Sequence, residues 1–510
     1  MPPPVAVPSP SSDFPPARQQ RIAFAMLMLT LAMAALDQTI LSTALPVMAR
    51  ELPGRWPLAW AFSSYLLAAT VVITLYGRLA DLLGTRRVLL WALGLFLLGS
   101  LACGASRSVA QLVLARAVQG AGGGGLMTLA MLSVASLFPL EQRPRFQSLL
   151  GAAYGIATLF GPLLGGTLVE HLTWHWAFWL NVPLALLAAG LLAMTLPAGR
   201  RHGAADARID WPGGALLAGA LVLLLLATQR GRLGLPPALG LGPLLAGGLA
   251  LAALFLWRQQ RAAHPLLPLS LFAPAAYRAT SLMAMASGVA LYAAVALLPP
   301  YLQDRLHLSP IGSAWHLLPL MAGVTFAAIG SGRLLRARRS PVTVARAACA
   351  SMVLGFVLLA GALQWWPTQA LALSLGLLPL GIGLGLVFPV VTVVSQRTSP
   401  AQHLGIATAV PVMLRSLGGA GGVALLAALL VHMVEAEMAT VTAVAAAAPV
   451  GLASPAVAQA LTGAHGHGLR SVFLIAGLAV LGAGLCTRWL PVRLTPAADS
   501  AGRPAARPAA

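Results

Sequence analysis

The chain has no lysine, and only 12 of its 510 residues are acidic. Charged residues of both signs make up 9% of it, where a soluble domain carries about a quarter. That scarcity excludes an ordinary soluble protein and a solvated, disordered one. All the positive charge is arginine, which we assign to compositional bias in the genome and not to mechanism. Three cysteines, Cys103, Cys349 and Cys486, all lie in apolar segments, so neither a disulfide framework nor a zinc site is expected. His465 and His467 flank a glycine but have no companions that would make a metal site. The run Gly122 to Gly125 superficially resembles a phosphate loop. No strand precedes it and no Lys-Ser/Thr follows, so that reading fails. No nucleophile-base set, metal cluster or cofactor loop emerges, and we expect no enzyme, no cofactor and no metal.

What the chain has is apolar length. It is 58% hydrophobic, with a mean hydropathy of +0.84. Spans of about 20 apolar residues are predicted near 22–45, 59–80, 88–105, 110–138, 146–170, 176–196, 212–228, 238–257, 277–303, 311–332, 343–363, 367–390, 404–430 and 469–490. The fold expected is an all-α integral membrane protein of about fourteen transmembrane helices. A signal peptide is the rival reading of the first span, but the apolar stretch is too long, and an uncleaved helix is expected. An even number of spans puts both termini on one side. With the termini cytoplasmic, most arginines fall in or beside cytoplasmic loops, as the positive-inside bias requires. The net charge of +20 therefore marks topology, and no nucleic-acid partner is expected. Tryptophans near span ends (Trp56, Trp60, Trp174, Trp176, Trp211, Trp257, Trp365, Trp366, Trp489) read as an aromatic belt at the lipid boundary.

The string Gly77-Arg78-Leu79-Ala80-Asp81-Leu82-Leu83-Gly84-Thr85-Arg86-Arg87 is the most informative in the chain. It is a charged tight turn between two spans. Gly77 and Gly84 allow close approach or positive φ, and Arg78, Arg86 and Arg87 hold the turn at the cytoplasmic surface. Asp81 sits among them, placed for ion pairs that break when helices move. A second glycine-arginine turn, 330–339, occupies the same place after the second span of a later block but lacks the aspartate. Phe138-Pro139 and Phe388-Pro389 close the fourth span of each block. The economical parse is a cytoplasmic tail (1–21, expected disordered), a six-helix bundle (22–196), two linker helices (197–276), a second six-helix bundle (277–490) and a tail (491–510, expected disordered). The segment 431–468 reads as the one sizeable external loop. Such paired bundles are a transporter architecture, with the substrate path between them.

Of the ionisable residues inside spans, three stand out: Asp37, Arg116 and Arg415. A charge at a helix centre costs at least about 2.5–3.5 kcal/mol, so each needs a partner or a wet cavity. Asp37 is predicted about 22 Å from the cytoplasmic end of an outward-running helix and Arg116 about 9 Å from the opposite end of an inward-running one. They lie at similar depth and can pair. A carboxylate beside a guanidinium stays ionised, and one desolvated without that partner takes up a proton. Alternation between the two would move one proton per cycle; a permanent pair that only fixes packing is the plainer alternative. The small residues of 116–125 and of 151–166 (Gly120, Gly122, Gly124; Gly161, Pro162, Gly165, Gly166) offer smooth faces for close helix approach.

Together these motifs resemble the Major Facilitator Superfamily, and within it the fourteen-helix drug:proton antiporter branch. Gly77 to Arg87 resembles its cytoplasmic loop signature. Arg116-x-x-Gln119-Gly120-x-Gly122-x-Gly124 is similar to its fourth-helix signature. Gly161-Pro162-x-x-Gly165-Gly166 is similar to its fifth-helix antiporter signature, and Leu36-Asp37-x-Thr39-Ile40 with Ala44-Leu45-Pro46 to its first-helix signature. Trp174-His175-Trp176-Ala177-Phe178, Asn181-Val182-Pro183, and Arg415 with Gly418-Gly419 also resemble that branch, although His175 replaces its usual arginine and Ser416 its common glutamine.

The resemblance implies a monomeric, multi-pass carrier of the bacterial cytoplasmic (inner) membrane. It would export small lipophilic compounds against inward-moving protons, with no bound cofactor. Its partners would be protons, the bilayer and the substrate; a periplasmic adaptor is left open. Asp37 would accept the proton and Arg116 would tune it. Asp81 with Arg78, Arg86 and Arg87 would latch the inner gate in the outward-open form. The glycine faces at 120–125 and 151–166 would be sliding seams. Arg415 would be a polar site of the second half, and Met26, Phe62, Tyr65 and Tyr154 would line the cavity. The interior of the second block has no acid, which disfavours dications; a monovalent or neutral compound is expected. A metabolite facilitator or symporter and a non-transporting sensor are the alternatives. The first would show buried polar groups matched to one substrate; the second would need a soluble domain, which neither tail is long enough to supply.

Overall fold

The computed structural model describes residues 14–53, 56–139, 141–197, 209–233, 239–336, 340–447 and 455–490. They form α1 (Ala17–Glu51), α2 (Ala59–Leu83), α3 (Thr85–Gly104), α4 (Val109–Leu137), α5 (Arg143–His171), α6 (Trp176–Trp179), α7 (Asn181–Thr195), α8 (Trp211–Leu233) and α9 (Leu241–Arg261). They continue as α10 (Ala275–Leu306), α11 (Pro310–Trp315), α12 (Leu318–Arg336), α13 (Pro341–Trp365), α14 (Ala370–Arg397), α15 (Leu404–Ala447) and α16 (Pro455–Leu485). Three short 3₁₀ turns complete the described structure.

Among the described residues, twelve helices are long and apolar enough to cross a membrane. Of the fourteen expected spans, the fifth and seventh fall on α5 and α8, which are not among the twelve. α5 carries Arg143, Arg145, Gln147 and Glu170, and the apolar stretch of α8 ends at Ala227. Many leucines lie exposed on the helices, among them Leu98, Leu114, Leu371 and Leu478. In water such surface would drive aggregation; in a bilayer it is the solvated face. Helix starts follow local chemistry. Ser108, Ser309 and Ser340 each accept a hydrogen bond from a backbone N–H of the first turn, and α11 and α13 place proline at that turn, where no donor is lost.

Four boundaries differ from those read in the sequence. The sixth span is broken into α6 and α7 at Leu180, and the tenth into α11 and α12. The helix of the first span begins at Ala17, inside the expected tail, while residues 1–13 and the tail 491–510 lie outside the described residues. The expected external loop 431–468 is helical over most of its length, because α15 runs to Ala447 and α16 starts at Pro455. That stretch is rich in alanine, the best helix former, and alanine's weak hydropathy hid the continuation. At 44 residues, α15 is about 66 Å long, roughly twice the hydrocarbon thickness.

One apolar core draws on residues from Ala23 to Leu196, another on residues from Ala276 to Leu490. A third joins α8 and α9 to Ile73 of α2 and to Ile406, Ala407 and Val410 of α15. The α8–α9 hairpin is clamped at its base. Asp210, just before α8, accepts from Arg258 Nε (2.8 Å), Gln259 Nε2 (2.9 Å) and the Gly213 N–H (3.0 Å). Burial opposes the carboxylate's charge, but these donors outweigh it and hold its pKa below the ordinary value. Trp174 leaves the expected aromatic belt: it is 1% exposed and donates to Glu51 Oε2 at 2.8 Å.

Candidate functional site

Asp37 and Arg116 meet in the first half. Arg116 Nη1 lies 2.6 Å from Asp37 Oδ2, and the residues are 0% and 2% exposed respectively. Gln119, one turn after Arg116, shares its face of α4. Its Nε2 donates to Asp37 Oδ1 (2.7 Å) and Ser100 Oγ (2.8 Å), while its Oε1 accepts from Arg116 Nη1 (2.7 Å). Asn181 Nδ2, at the start of α7, donates to Asp37 Oδ1 at 3.1 Å. Arg116 Nε donates to the Ala61 carbonyl at 3.2 Å, and the guanidinium stacks 4.2 Å over the Tyr65 ring. Five helices therefore fix one buried carboxylate, and each of its oxygens accepts at least one hydrogen bond. Arg116 Nη2 is buried without a hydrogen-bond partner among the described residues, a vacant donor beside the pair. The sequence had placed Gln119 in a packing motif and Asn181 in a family pattern. Their role as ligands of Asp37 was missed, although the three-residue spacing of Arg116 and Gln119 carried the signal.

The turn 77–87 ends α2 and starts α3. Gly84 takes φ 88°, ψ 138°, a backbone region that other residues avoid. We refer to this end of the molecule as the arginine-loop end. Asp81 does not pair with the arginines of its own loop as expected. Its Oδ1 and Oδ2 accept from the backbone N–H of Gly405 (2.6 Å) and Ile406 (3.1 Å) in the first turn of α15. The partner is a helix N-terminus in the other half, whose orphan donors and positive dipole end suit a carboxylate. Contact this close needs glycine: a Cβ on Gly77 would sit 2.8 Å from the Gly405 carbonyl oxygen, and one on Gly405 would sit 2.1 Å from that of Gly77. Arg86 instead donates to the Ala193 carbonyl, Arg87 is exposed, and Arg78 is buried with Nε unpartnered among the described residues. In the matching turn of the second half, the side chains of Arg333 and Arg336 and residues 337–339 lie outside what is described.

The glycines divide into two groups. Gly120 and Gly124 face the backbone of Tyr65 and Ala69 on α2, and Gly122 faces Ala92 and Phe96 on α3. They pack α4 within its own half and are not a seam between halves, which corrects the expectation for 120–125. Gly151 and Gly155 do face the other half, opposite Phe388 and Thr325. Gly161 faces Thr39 on α1, within the first half, and Gly165 is buried. Pro162 lies within α5, its side chain outside the described residues. Gly166, three turns beyond Gly155 on the same face, has nothing within 4 Å of an added Cβ. The halves also touch through Ser148 Oγ and Ser331 Oγ (3.1 Å) and through Thr74 Oγ1 and Met413 Sδ (2.9 Å). These contacts gather toward the arginine-loop end.

Between the halves lies a small, partly open cavity. Met127 and Met131 of α4 line it from one side; Ser287 of α10, Phe388 and Val391 of α14, and Arg415 of α15 line it from the other. Met26, Phe62, Tyr65 and Tyr154 do not line this cavity. Tyr65 is 2% exposed against Arg116, Met26 and Tyr154 are half-buried on the first core, and Phe62 is exposed.

Two bundles around a polar-spotted cavity, locked at one end by a glycine-lined loop, are the geometry of a carrier. Residues 27–423 match the family described as Major Facilitator Superfamily. The chain belongs to this superfamily. It is thus a multi-pass membrane transporter. Among its relatives is the uncharacterized MFS-type transporter Rv1877 of Mycobacterium tuberculosis, 34% identical over 95% of this chain and 71% of that one. Another is the multidrug transporter protein MdtP of Bacillus subtilis, 31% identical over 79% of this chain and 74% of the relative. The superfamily fold is shared with the human organic anion transporter MFSD10, at a TM-score of 0.64 and 17% identity, covering 93% of this chain and all of that one.

Proposed function

We propose that this transporter is a proton-coupled antiporter of the fourteen-helix drug-exporting branch, acting by alternating access in the bacterial cytoplasmic membrane. In this reading α5 and α8 complete the fourteen spans, the arginine-loop end and both termini are cytoplasmic, and two six-helix bundles flank the α8–α9 pair. The observation that carries it is the buried Asp37–Arg116 pair, one carboxylate bound by three side-chain donors and set between the far end and the cavity. Arriving from outside, a proton neutralises Asp37 and frees Arg116 from its partner. The helices that share the pair, α1, α2, α3, α4 and α7, then lose the contact that holds them together. Release of that proton inward restores it. Asp81 on the α15 N-terminus stabilises the form closed at the cytoplasmic end, and Gly151 and Gly155 form the seam. Relatives named as multidrug transporters and efflux pumps, near 30% identity, support export of small lipophilic compounds.

Reconstituted vesicles with an imposed pH gradient and a panel of lipophilic dyes and antibiotics test this. Asp37→Asn is expected to abolish gradient-driven transport while equilibrium binding survives. Full active transport by that variant removes Asp37 from the mechanism. A metabolite symporter is disfavoured by the largely apolar lining of the cavity.

A further inference from the structure

The two halves treat their intramembrane arginines differently: Arg116 is fully buried and Arg415 is half-buried. Arg116 has Asp37. Arg415 has no carboxylate and no hydrogen-bond acceptor among the described residues. The Phe388 ring lies 5.7 Å from its guanidinium, near the outer limit of cation–π attraction. Arg415 lies 11 residues after the start of α15, about 17 Å along the helix, at mid-membrane depth. A guanidinium stays charged there, and its five N–H donors form a planar fork that matches a carboxylate. Among the described residues it is the only charged side chain in the cavity lining. The remaining walls are largely apolar, with flexible Met127 and Met131 and the branched Val387 and Val391, and carry the hydroxyls of Ser287, Thr392, Ser395 and Thr408. A lone charge on an oily wall selects by sign. A cation would be repelled, a neutral guest would leave the fork unpaired, and an anion with an apolar body would satisfy both parts.

We propose that the cavity is a binding site for amphipathic organic carboxylates, with Arg415 holding the carboxylate and the methionine and valine walls holding the apolar body. This rests on the export reading for its physiological sense, and narrows its substrate class to lipophilic acids.

Purified full-length protein in zwitterionic nanodiscs at pH 7.5 tests it by equilibrium binding of three matched probes: 1-pyrenebutyrate, 1-pyrenebutyramide and (1-pyrenebutyl)trimethylammonium. The carboxylate is expected to bind about tenfold or more tighter than the amide, with the cation weakest. Arg415→Gln should reduce carboxylate affinity to that of the amide while amide affinity stays unchanged, which also shows that the variant is folded. Arg415→Lys should retain part of the preference. Ser287→Asp, which supplies an internal carboxylate, should remove the anion preference without touching Arg415. Persistence of that preference in Arg415→Gln overturns the proposal, as does equal or tighter binding of the cation to the wild type, or no binding of the carboxylate to it. These measurements need no proton gradient. If the binding order holds and pH-driven transport is absent, only the export reading is lost.

Discussion

Replacing Asp81 with asparagine should loosen the arginine-loop end by an amount that can be worked from two hydrogen bonds. The carboxylate accepts from Gly405 N at 2.6 Å and Ile406 N at 3.1 Å. Hydrogen bonds to a charged group contribute about 1.5–3 kcal/mol each, and a charge at a helix N-terminus adds about 0.3–1 kcal/mol or more when partly buried. Asparagine keeps one acceptor oxygen, so one bond survives in weaker, neutral form. The net loss is about 2–4 kcal/mol, a shift of roughly 30- to 1,000-fold in the closed-to-open equilibrium at this end. Spin labels on cysteines replacing the exposed Arg87 and Gln402, in a background without the three native cysteines, report it by dipolar distance. The wild type should give one short population and Asp81→Asn a second, longer one. An unchanged distribution would mean that Asp81 caps α15 without controlling the gate. Glutamate at position 81 keeps the charge but adds a methylene where Gly405 already lies in contact, so it should fall between the two.

Three further outcomes are expected. Arg116→Gln strands a buried carboxylate and should cost about 3–5 kcal/mol; adding Asp37→Asn should restore part of that, read as a higher thermal midpoint in nanodiscs, and strictly additive losses would argue against direct coupling. Gly124→Val places side-chain atoms where even a Cβ would sit 2.2 Å from the Ala69 carbonyl oxygen, so α4 must move off α2 at a cost of about 1–3 kcal/mol, with a matching fall in melting temperature. Because Asp210 has a lowered pKa in the folded chain, its stabilising effect is present above the unfolded value near 3.9 and fades as pH falls through the folded value. The midpoint gap between wild type and Asp210→Asn should be widest at pH 5–7 and shrink below about pH 4; a gap independent of pH would place the effect in packing.

What the chain revealed before folding was what depends on local pattern. Apolar length gave the spans, and the depth of Asp37 and Arg116 from opposite helix ends set them side by side, because helix rise is fixed. Partners supplied by tertiary contact stayed hidden. Asp81 sits among arginines in sequence, yet its partner is a helix terminus more than 320 residues away, and backbone N–H groups leave no mark in composition. Asn181 stood in a family pattern that gave no sign of its bond to Asp37. The glycines of α4 and α5 read alike, and only neighbours told that Gly120 and Gly124 serve one half while Gly151 and Gly155 face the other. The tryptophan pattern misled at Trp174, whose indole reaches Glu51 and not the lipid boundary.

A pump that hands out an anion and takes in a proton moves charge twice in the same electrical sense. At about 2.3 kcal/mol per charge per 100 mV, one such cycle draws about 4.6 kcal/mol from voltage alone and runs even when the two compartments share one pH. An acid in place of Arg415 would suit cations, and their one-for-one exchange with protons would be blind to voltage. If the cavity takes anions in exchange for protons as proposed, the sign of this one side chain on its wall sets whether the membrane voltage contributes to the cycle at all.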